Sequence, residues 1–315
     1  MIVDLPSTTV SKVDKALNRL RKEGGVSAVS RVLTLLVQSG PEGYEEAVEA
    51  ANAASREHPC RVVVLVAGDP EAEARLDAQI RVGGDAGASE VIVLEAHGAL
   101  AGESESLVSG LLLPDAPIVL WWPDGVAGTK TERTLGRMAT RRITDSAADD
   151  DPRAALLTLA GRYRPGDTDL AWTRLTLWRG QLAAIVDLIN PATITQITVD
   201  GAPNSPSTTL LAAWLSERLP VRVTVASTPT APTEGVTRIR ISRPEGDIEL
   251  VRTAERVVEL YQPGQNVQRI SLPERTLEDC LSEELRRLDA DEVFGEVIKS
   301  PMIRTSLRSV RPSER

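Results

Sequence analysis

The sequence predicts an α/β protein made of two α/β domains, the second ending in an antiparallel meander followed by C-terminal helices. Three observations carry this. In the first half, segments with helical periodicity alternate with Val-rich apolar runs. The alternation restarts after DSAADDDP, residues 145–152, an acidic tract without large apolar groups. From residue 236 onward, polar and apolar residues alternate between turn signals, as in a sheet with one solvated face. A length of 315 residues suits two domains. The expected division is an N-terminal domain over 1–150, a C-terminal domain over 151–300 and a mobile basic tail over 301–315.

Along the chain, SKVDKALNRLRKEGG places Val13, Leu17 and Leu20 on one helical face and stops at two glycines. SRVLTLLVQSG reads as a strand, and GYEEAVEAANAASREHP as a helix that Pro59 terminates. CRVVVLVAGD, EVIVLEAHG and APIVLWWPD are apolar strands, with ESESLVSGLLLPD as a crossover helix and RRITDSA as a further short strand. Asp150 or Asp151, ahead of Pro152, is suited to begin a helix through PRAALLTLAGRY. The second half then reads helix, strand, helix, strand: DLAWTRLTLWRGQLAAIVDLI, TITQITVDG, SPSTTLLAAWLSERLP and VRVTVAS. The meander follows, with turns at Pro244–Gly246 and Pro263–Gly264. TLEDCLSEELRRLD and DEVFGEVIKS close the chain as helices.

Charge and composition exclude whole classes of function. The formal net charge of −9 argues against non-specific nucleic-acid binding, which needs clustered cations. The local basic groups, Lys12, Lys15, Arg19, Arg21 and Lys22 near the start and Arg304, Arg308, Arg311 and Arg315 at the end, read as a solvated helix face and a frayed tail. No apolar run approaches the roughly 20 residues that span a bilayer. MIVDLPSTTV lacks the features of a signal peptide, so a cytoplasmic protein is expected. Cys60 and Cys280 form no metal-ligand pattern and read as buried thiols.

The catalytic inventory is small. The chain has two histidines, His58 and His97, and no serine in a G-x-S-x-G elbow. DGVAGTKT lacks P-loop spacing, and RVGGDAGAS does not match G-x-G-x-x-G. His97 lies at a strand end, where open α/β sheets place active sites. Trp121 and Trp122, adjacent at another strand end, must point to opposite faces. One can pack under a helix while the other meets solvent or a ligand. Together with Asp124 and His97 they mark an alternative pocket for a small phosphorylated ligand.

Residues 166–180, GDTDLAWTRLTLWRG, concentrate two of the five tryptophans in a chain with 3% aromatic residues. Asp169 can cap a helix. Ala171, Leu175, Trp178, Leu182, Ile185 and Val186 share one stripe, which makes Trp178 a core residue. Trp172 falls about 90° from that stripe, beside Arg179. Either the rest of the chain covers it, or it contacts another protein, since exposed Trp and Arg dominate interface energetics.

DTDLAWTRLTLWR, with PDAPIVLWWPD, RRITDSA and the N-terminal helix followed by SRVLTLLVQ, resembles the OpcA family of glucose-6-phosphate dehydrogenase assembly proteins. The string from Trp172 to Arg179 is its most specific part. The resemblance implies a protein that is not an enzyme and carries no cofactor or metal. It implies a partner, glucose-6-phosphate dehydrogenase, whose active oligomer the protein favours, promoting the oxidative pentose phosphate pathway. Asp169, Trp172, Arg174 and Arg179 are the expected contact region.

Overall fold

The computed structural model describes residues 1–23, 31–82, 90–102, 105–125, 134–227 and 235–306. The helix-stopping Gly24 and Gly25, most of RVGGDAGAS and DGVAGTKT, and Arg308, Arg311 and Arg315 lie outside the described residues. The chain forms two compact units that interleave in sequence. One comprises Met1–Asp145, Gly166–Thr168 and Thr276–Ala290; the other comprises Ser146–Pro165, Asp169–Arg275 and Asp291–Arg315.

The first unit runs β1 (Ile2–Leu5), α1 (Val10–Glu23), β2 (Leu33–Ser39), α2 (Tyr44–Ala54), β3 (Cys60–Ala67), β4 (Arg75–Arg81), β5 (Glu90–His97), α3 (Glu105–Val108), β6 (Ile118–Trp122), α4 (Thr134–Met138) and β7 (Arg141–Thr144). Past α5 (Pro152–Arg162), the chain adds β8 (Asp167–Asp169) to the edge of the same sheet. The sheet order is β1-β4-β5-β3-β2-β6-β7-β8. β5, β3, β2, β6 and β7 pair in parallel, while β1 and β4 pair antiparallel. The parallel part has the strand order of doubly wound α/β sheets, with a topological switch between β2 and β6.

The apolar runs read as strands become central strands because both their faces are covered. Val13, Leu17 and Leu20 of α1 pack with Leu36, Val63, Ile92, Leu94 and Trp122 in one buried cluster. The edge strand β1 and its neighbour β4 are half-polar, with burial alternating along RLDAQIR. That period-2 signal is short and charged, and the sequence reading passes over it. The expected crossover helix in ESESLVSGLLLPD is a single α-turn followed by a 3-10 turn at Ser109–Leu111.

The second unit contains α5, then α6 (Leu170–Thr173), α7 (Thr176–Asp187), β9 (Gln196–Gly201), α8 (Pro206–Arg218), β10 (Arg222–Ser227), β11 (Val236–Ser242), β12 (Ile248–Ala254), β13 (Val257–Tyr261) and β14 (Gln268–Ser271). Asp151 caps α5 by accepting the Ala154 N–H at 3.0 Å. The sheet order is β10-β9-β11-β12-β13-β14; β10 and β9 are parallel and the rest antiparallel. The meander is thus present with its turns, at Gly246 (φ +112°) and Gly264 (φ +70°). α8 is buried on most sides over its first three turns, where small hydroxyl residues, Ser207, Thr208 and Thr209, are buried along with Leu210, Leu211, Ala212 and Ala213.

The last helices differ from a continuous second domain and a tail. α9 (Leu277–Arg286) belongs to the first unit, where Cys280, Leu281 and Leu285 are buried and the helix packs on α2. α10 (Glu292–Val297) and α11 (Pro301–Ser306) belong to the second unit and pack on α8. Ile303 of α11 is fully buried, so the expected tail begins as structure. Cys60 and Cys280 are buried and are not joined in a disulfide.

Candidate functional site

The single helix expected from DLAWTRLTLWRGQLAAIVDLI is two helices, with Arg174 and Leu175 at the joint. Asp169 is fully buried: Oδ1 accepts the Ala171 N–H at 2.9 Å, capping α6, and both oxygens bind Ser146, one its N–H and one its hydroxyl. A capping carboxylate here also complements the helix dipole.

Trp172 is 1% exposed, so the partial exposure that helical geometry allows is not found. The break after Thr173 turns it inward, where its indole N–H donates to Asp291 Oδ2 at 2.8 Å. Its ring packs against Phe294, with centroids 5.8 Å apart, and Phe294 in turn meets Tyr163 edge-on. The Arg179 guanidinium stacks over the Trp172 ring at 3.8 Å and donates to Thr176 Oγ1. Trp178 is buried as expected, with the Arg252 guanidinium 5.3 Å from its ring. Arg174 and Arg179 remain half-buried. Of the expected contact residues, then, Asp169 and Trp172 form an interior cluster, and only the two arginines reach solvent.

The solvent side of α7 carries a different feature. Leu177 is 38% and Leu188, at the helix end, 82% exposed. Gly180 and Ala184, also exposed, lie between them at helical spacing. Together they make a small apolar stripe beside Arg174 and Arg179.

The alternative pocket is not assembled. Trp121 and Trp122 are both fully buried, so neither faces a ligand; Trp122 donates to Gln38 Oε1 at 2.9 Å. The two tryptophan side chains, on opposite faces of the sheet, are both covered. His97 ends β5, which β3 and β2 separate from β6. Its Nε2 lies 3.5 Å from Asp77 Oδ2 and from Glu95 Oε1. Asp77 and Glu95 also line an open cavity of about 240 Å³ with Asp4 and Tyr44. Asp124 sits at the switch point: its carboxylate accepts the Gly40 N–H at 2.7 Å and the Ser39 hydroxyl at 3.3 Å. The first turn of the following helix, α2, adds Glu45 and Glu46. Where a doubly wound sheet offers a helix N-terminus to a phosphate, this chain concentrates negative charge.

At the opposite, amino end of the same sheet lies a charged cluster that includes Arg21, one of the residues expected on a solvated helix face. Glu90, the first residue of β5, has a side chain only 2% exposed. Arg21 of α1 binds it through two contacts of 2.5 Å; Arg31 lies at 2.8 Å and Arg61 of β3 at 3.3 Å. Arg61 also donates to the Leu111 carbonyl at 2.7 Å. Burial pushes the Glu90 carboxyl up, but Arg21, Arg31 and Arg61 outweigh it and hold the group below the usual carboxylate range. Burial lowers both Arg31 and Arg61, and repulsion from Arg21 adds to it. Two arginines flanking β-strand starts, Arg31 and Arg61, are the sequence signal that marks this place. It becomes readable only once β2, β3 and β5 are known to be neighbours.

Among the described residues, no helix is long and apolar enough to cross a membrane, and no group of three or more His, Cys, Asp or Glu could hold a metal. No curated protein matches the chain. Among solved structures, an oxidoreductase from Sinorhizobium meliloti is similar over 87% of this chain and 95% of its own, at 10% identity and a TM-score of 0.50. That likeness is one of fold. A glucose-6-phosphate 1-dehydrogenase from Mycobacterium avium is similar over 90% of this chain and 93% of its own, at 12% identity and a TM-score of 0.45. Two family models match the sequence itself. The one described as glucose-6-phosphate dehydrogenase subunit N-terminal domain matches residues 51–161, and the one described as its C-terminal domain matches residues 165–298. With both halves matched in order, the chain belongs to the OpcA family of glucose-6-phosphate dehydrogenase assembly proteins.

Proposed function

We propose that this protein is a non-catalytic, cytoplasmic activator that binds glucose-6-phosphate dehydrogenase and favours its active oligomer, promoting the oxidative pentose phosphate pathway. The observation that carries the reading is the match of both halves of the chain to domains of that dehydrogenase's associated subunit. The arrangement at the switch point supports a non-catalytic role. Asp124 occupies the Gly40 N–H and, with Glu45 and Glu46, repels the phosphates of a dinucleotide.

Activation requires only that the protein bind one state of the dehydrogenase better than another. A differential affinity of about 1.4 kcal/mol shifts that equilibrium tenfold. The proposed contact remains the α6–α7 region, with its roles divided. Asp169 and Trp172 fix the two helices from inside, while Arg174, Arg179 and the stripe Leu177, Gly180, Ala184 and Leu188 meet the partner. An apolar patch rimmed by arginine is the composition that a protein interface favours.

The test measures initial rates of the dehydrogenase from the same organism at several substrate concentrations, with and without this protein. A raised rate or a lowered KM, with co-elution of the two proteins on a sizing column, is the expected result. Unchanged kinetics and separate elution would overturn the proposal.

A further inference from the structure

The arginine cluster at the amino end of the first unit's sheet is unbalanced. Among the described residues, three guanidiniums, those of Arg21, Arg31 and Arg61, share the carboxylate of Glu90 as their ion-pair partner, and Asp14 adds a more distant negative charge toward Arg21. The side chains of Arg61 and Arg31 are 7% and 14% exposed, so water screens little of their mutual repulsion. Arg31 Nε is buried and has no hydrogen-bond partner among the described residues. Buried cations in excess of their counter-charges are costly, and a guanidinium N–H left unpaired adds to that cost. Arg21, with a side chain 31% exposed, leaves the cluster open to solvent on one side.

We propose that Arg21, Arg31 and Arg61 form a binding site for a small phosphate-type dianion, inorganic phosphate or a phosphomonoester. The excess of guanidiniums over the carboxylate they contact favours such an anion. Planar guanidinium forks suit its tetrahedral oxygens, which accept paired N–H donors. Glu90 then acts as the fixed counter-charge that holds the arginines in place. Binding here would give the protein a sensor for phosphate compounds at the end of the sheet opposite the crevice that Asp124 fills. This site is independent of any contact with the dehydrogenase.

The experiment titrates the full chain with sodium phosphate, with glycerol phosphate, and with sodium chloride at matched ionic strength, reading thermal unfolding and calorimetric heat. In the parent, a phosphate compound raises the midpoint by about 3 °C or more beyond chloride, as expected for a ligand that binds only the folded state. Arg31→Gln and Arg21→Gln each weaken binding at least fivefold, while Arg240→Gln, on the other unit, leaves it unchanged. Arg31→Gln also has an unligated midpoint equal to or above the parent's, because it relieves repulsion. A larger response to sodium phosphate assigns the free anion, and a larger response to glycerol phosphate assigns a phosphomonoester; each supports the site. A parent response no larger than that to chloride would overturn the proposal. So would a full response retained in both cluster variants. Arg21→Gln, at the exposed member, carries the test should Arg31→Gln fail to fold.

Discussion

Of the places where arginine and carboxylate side chains gather in this molecule, the clusters around Trp172 and around Glu90 differ in whether they are complete. Around Trp172, the carboxylates of Asp169 and Asp291 cap helices, the indole N–H is taken by Asp291, and Arg179 lies on the ring. Around Glu90, three arginines share one carboxylate, and a guanidinium N–H has no partner among the described residues. The first cluster is conspicuous in sequence because tryptophan is rare in this chain, yet it is interior packing. The second is inconspicuous, since arginine is common, yet it is the one whose charges are left unbalanced among the described residues and the one proposed to bind an anion. Rarity of a residue type marks structural weight, whereas charge balance in three dimensions marks an open site.

The sharpest way to break this contrast is Glu90→Gln. Removing the counter-charge leaves three adjacent cations, and breaking a buried ion pair from one side costs about 3–5 kcal/mol. Urea unfolding checks it, with a lowered midpoint and an unchanged slope expected. A loss below about 0.5 kcal/mol, the range of ordinary surface changes, would mean that the arginines are not held by Glu90. The same pair sets a pH dependence. Burial opposes ionisation of Glu90, but the arginines prevail, so its folded pKa lies below the unfolded one. The stability it contributes is therefore complete above the ordinary carboxylate range and is lost as pH falls through the folded value. In Glu90→Gln the acid limb of a stability–pH curve should flatten relative to the parent.

At the Trp172 cluster the corresponding change is Trp172→Phe, which keeps an aromatic ring but deletes the N–H that Asp291 accepts. A hydrogen bond to a charged acceptor, lost in a buried setting, costs about 1.5–3 kcal/mol. Thermal or urea unfolding of the variant measures the loss. If the variant is as stable as the parent yet fails to activate the dehydrogenase, Trp172 touches the partner directly and the contrast between the clusters collapses.

Much of the fold is legible in the sequence, for definite reasons. β2, β3, β5 and β6 are near-continuous apolar runs because both faces of a parallel sheet are covered, and α5 and α6 announce themselves through Asp151 and Asp169. β1 and β8 escape because they are short, charged strands at the sheet edges, and β4 escapes because polar and charged residues alternate along RLDAQIR. The break between α6 and α7 has no glycine or proline to signal it, and it is this break that turns Trp172 inward. α9 reads as a helix, but its membership of the first unit depends on packing against α2, which no local pattern encodes. The site residues divide in the same way. Asp169 is readable as a cap, whereas Glu90 is one acid among many until β3 and β5 align it with Arg61.

The smallest expected effect on stability belongs to Leu188→Asp, and it tests the solvent side of the Trp172 cluster. Leu188 is 82% exposed at the end of α7, so the substitution should change the unfolding free energy by no more than about 0.5 kcal/mol. A new carboxylate there places an unpaired charge in the middle of an apolar contact, and desolvating it on association is expensive. The expected outcome is a folded protein whose activation of glucose-6-phosphate dehydrogenase falls at least tenfold at fixed concentration, with co-elution lost. Full activation by a folded Leu188→Asp variant would move the contact off α7. Because the stability readout and the activation readout are expected to part company here, whereas in Trp172→Phe they are expected to move together, the pair of variants separates a surface that binds from an interior that only holds it in shape.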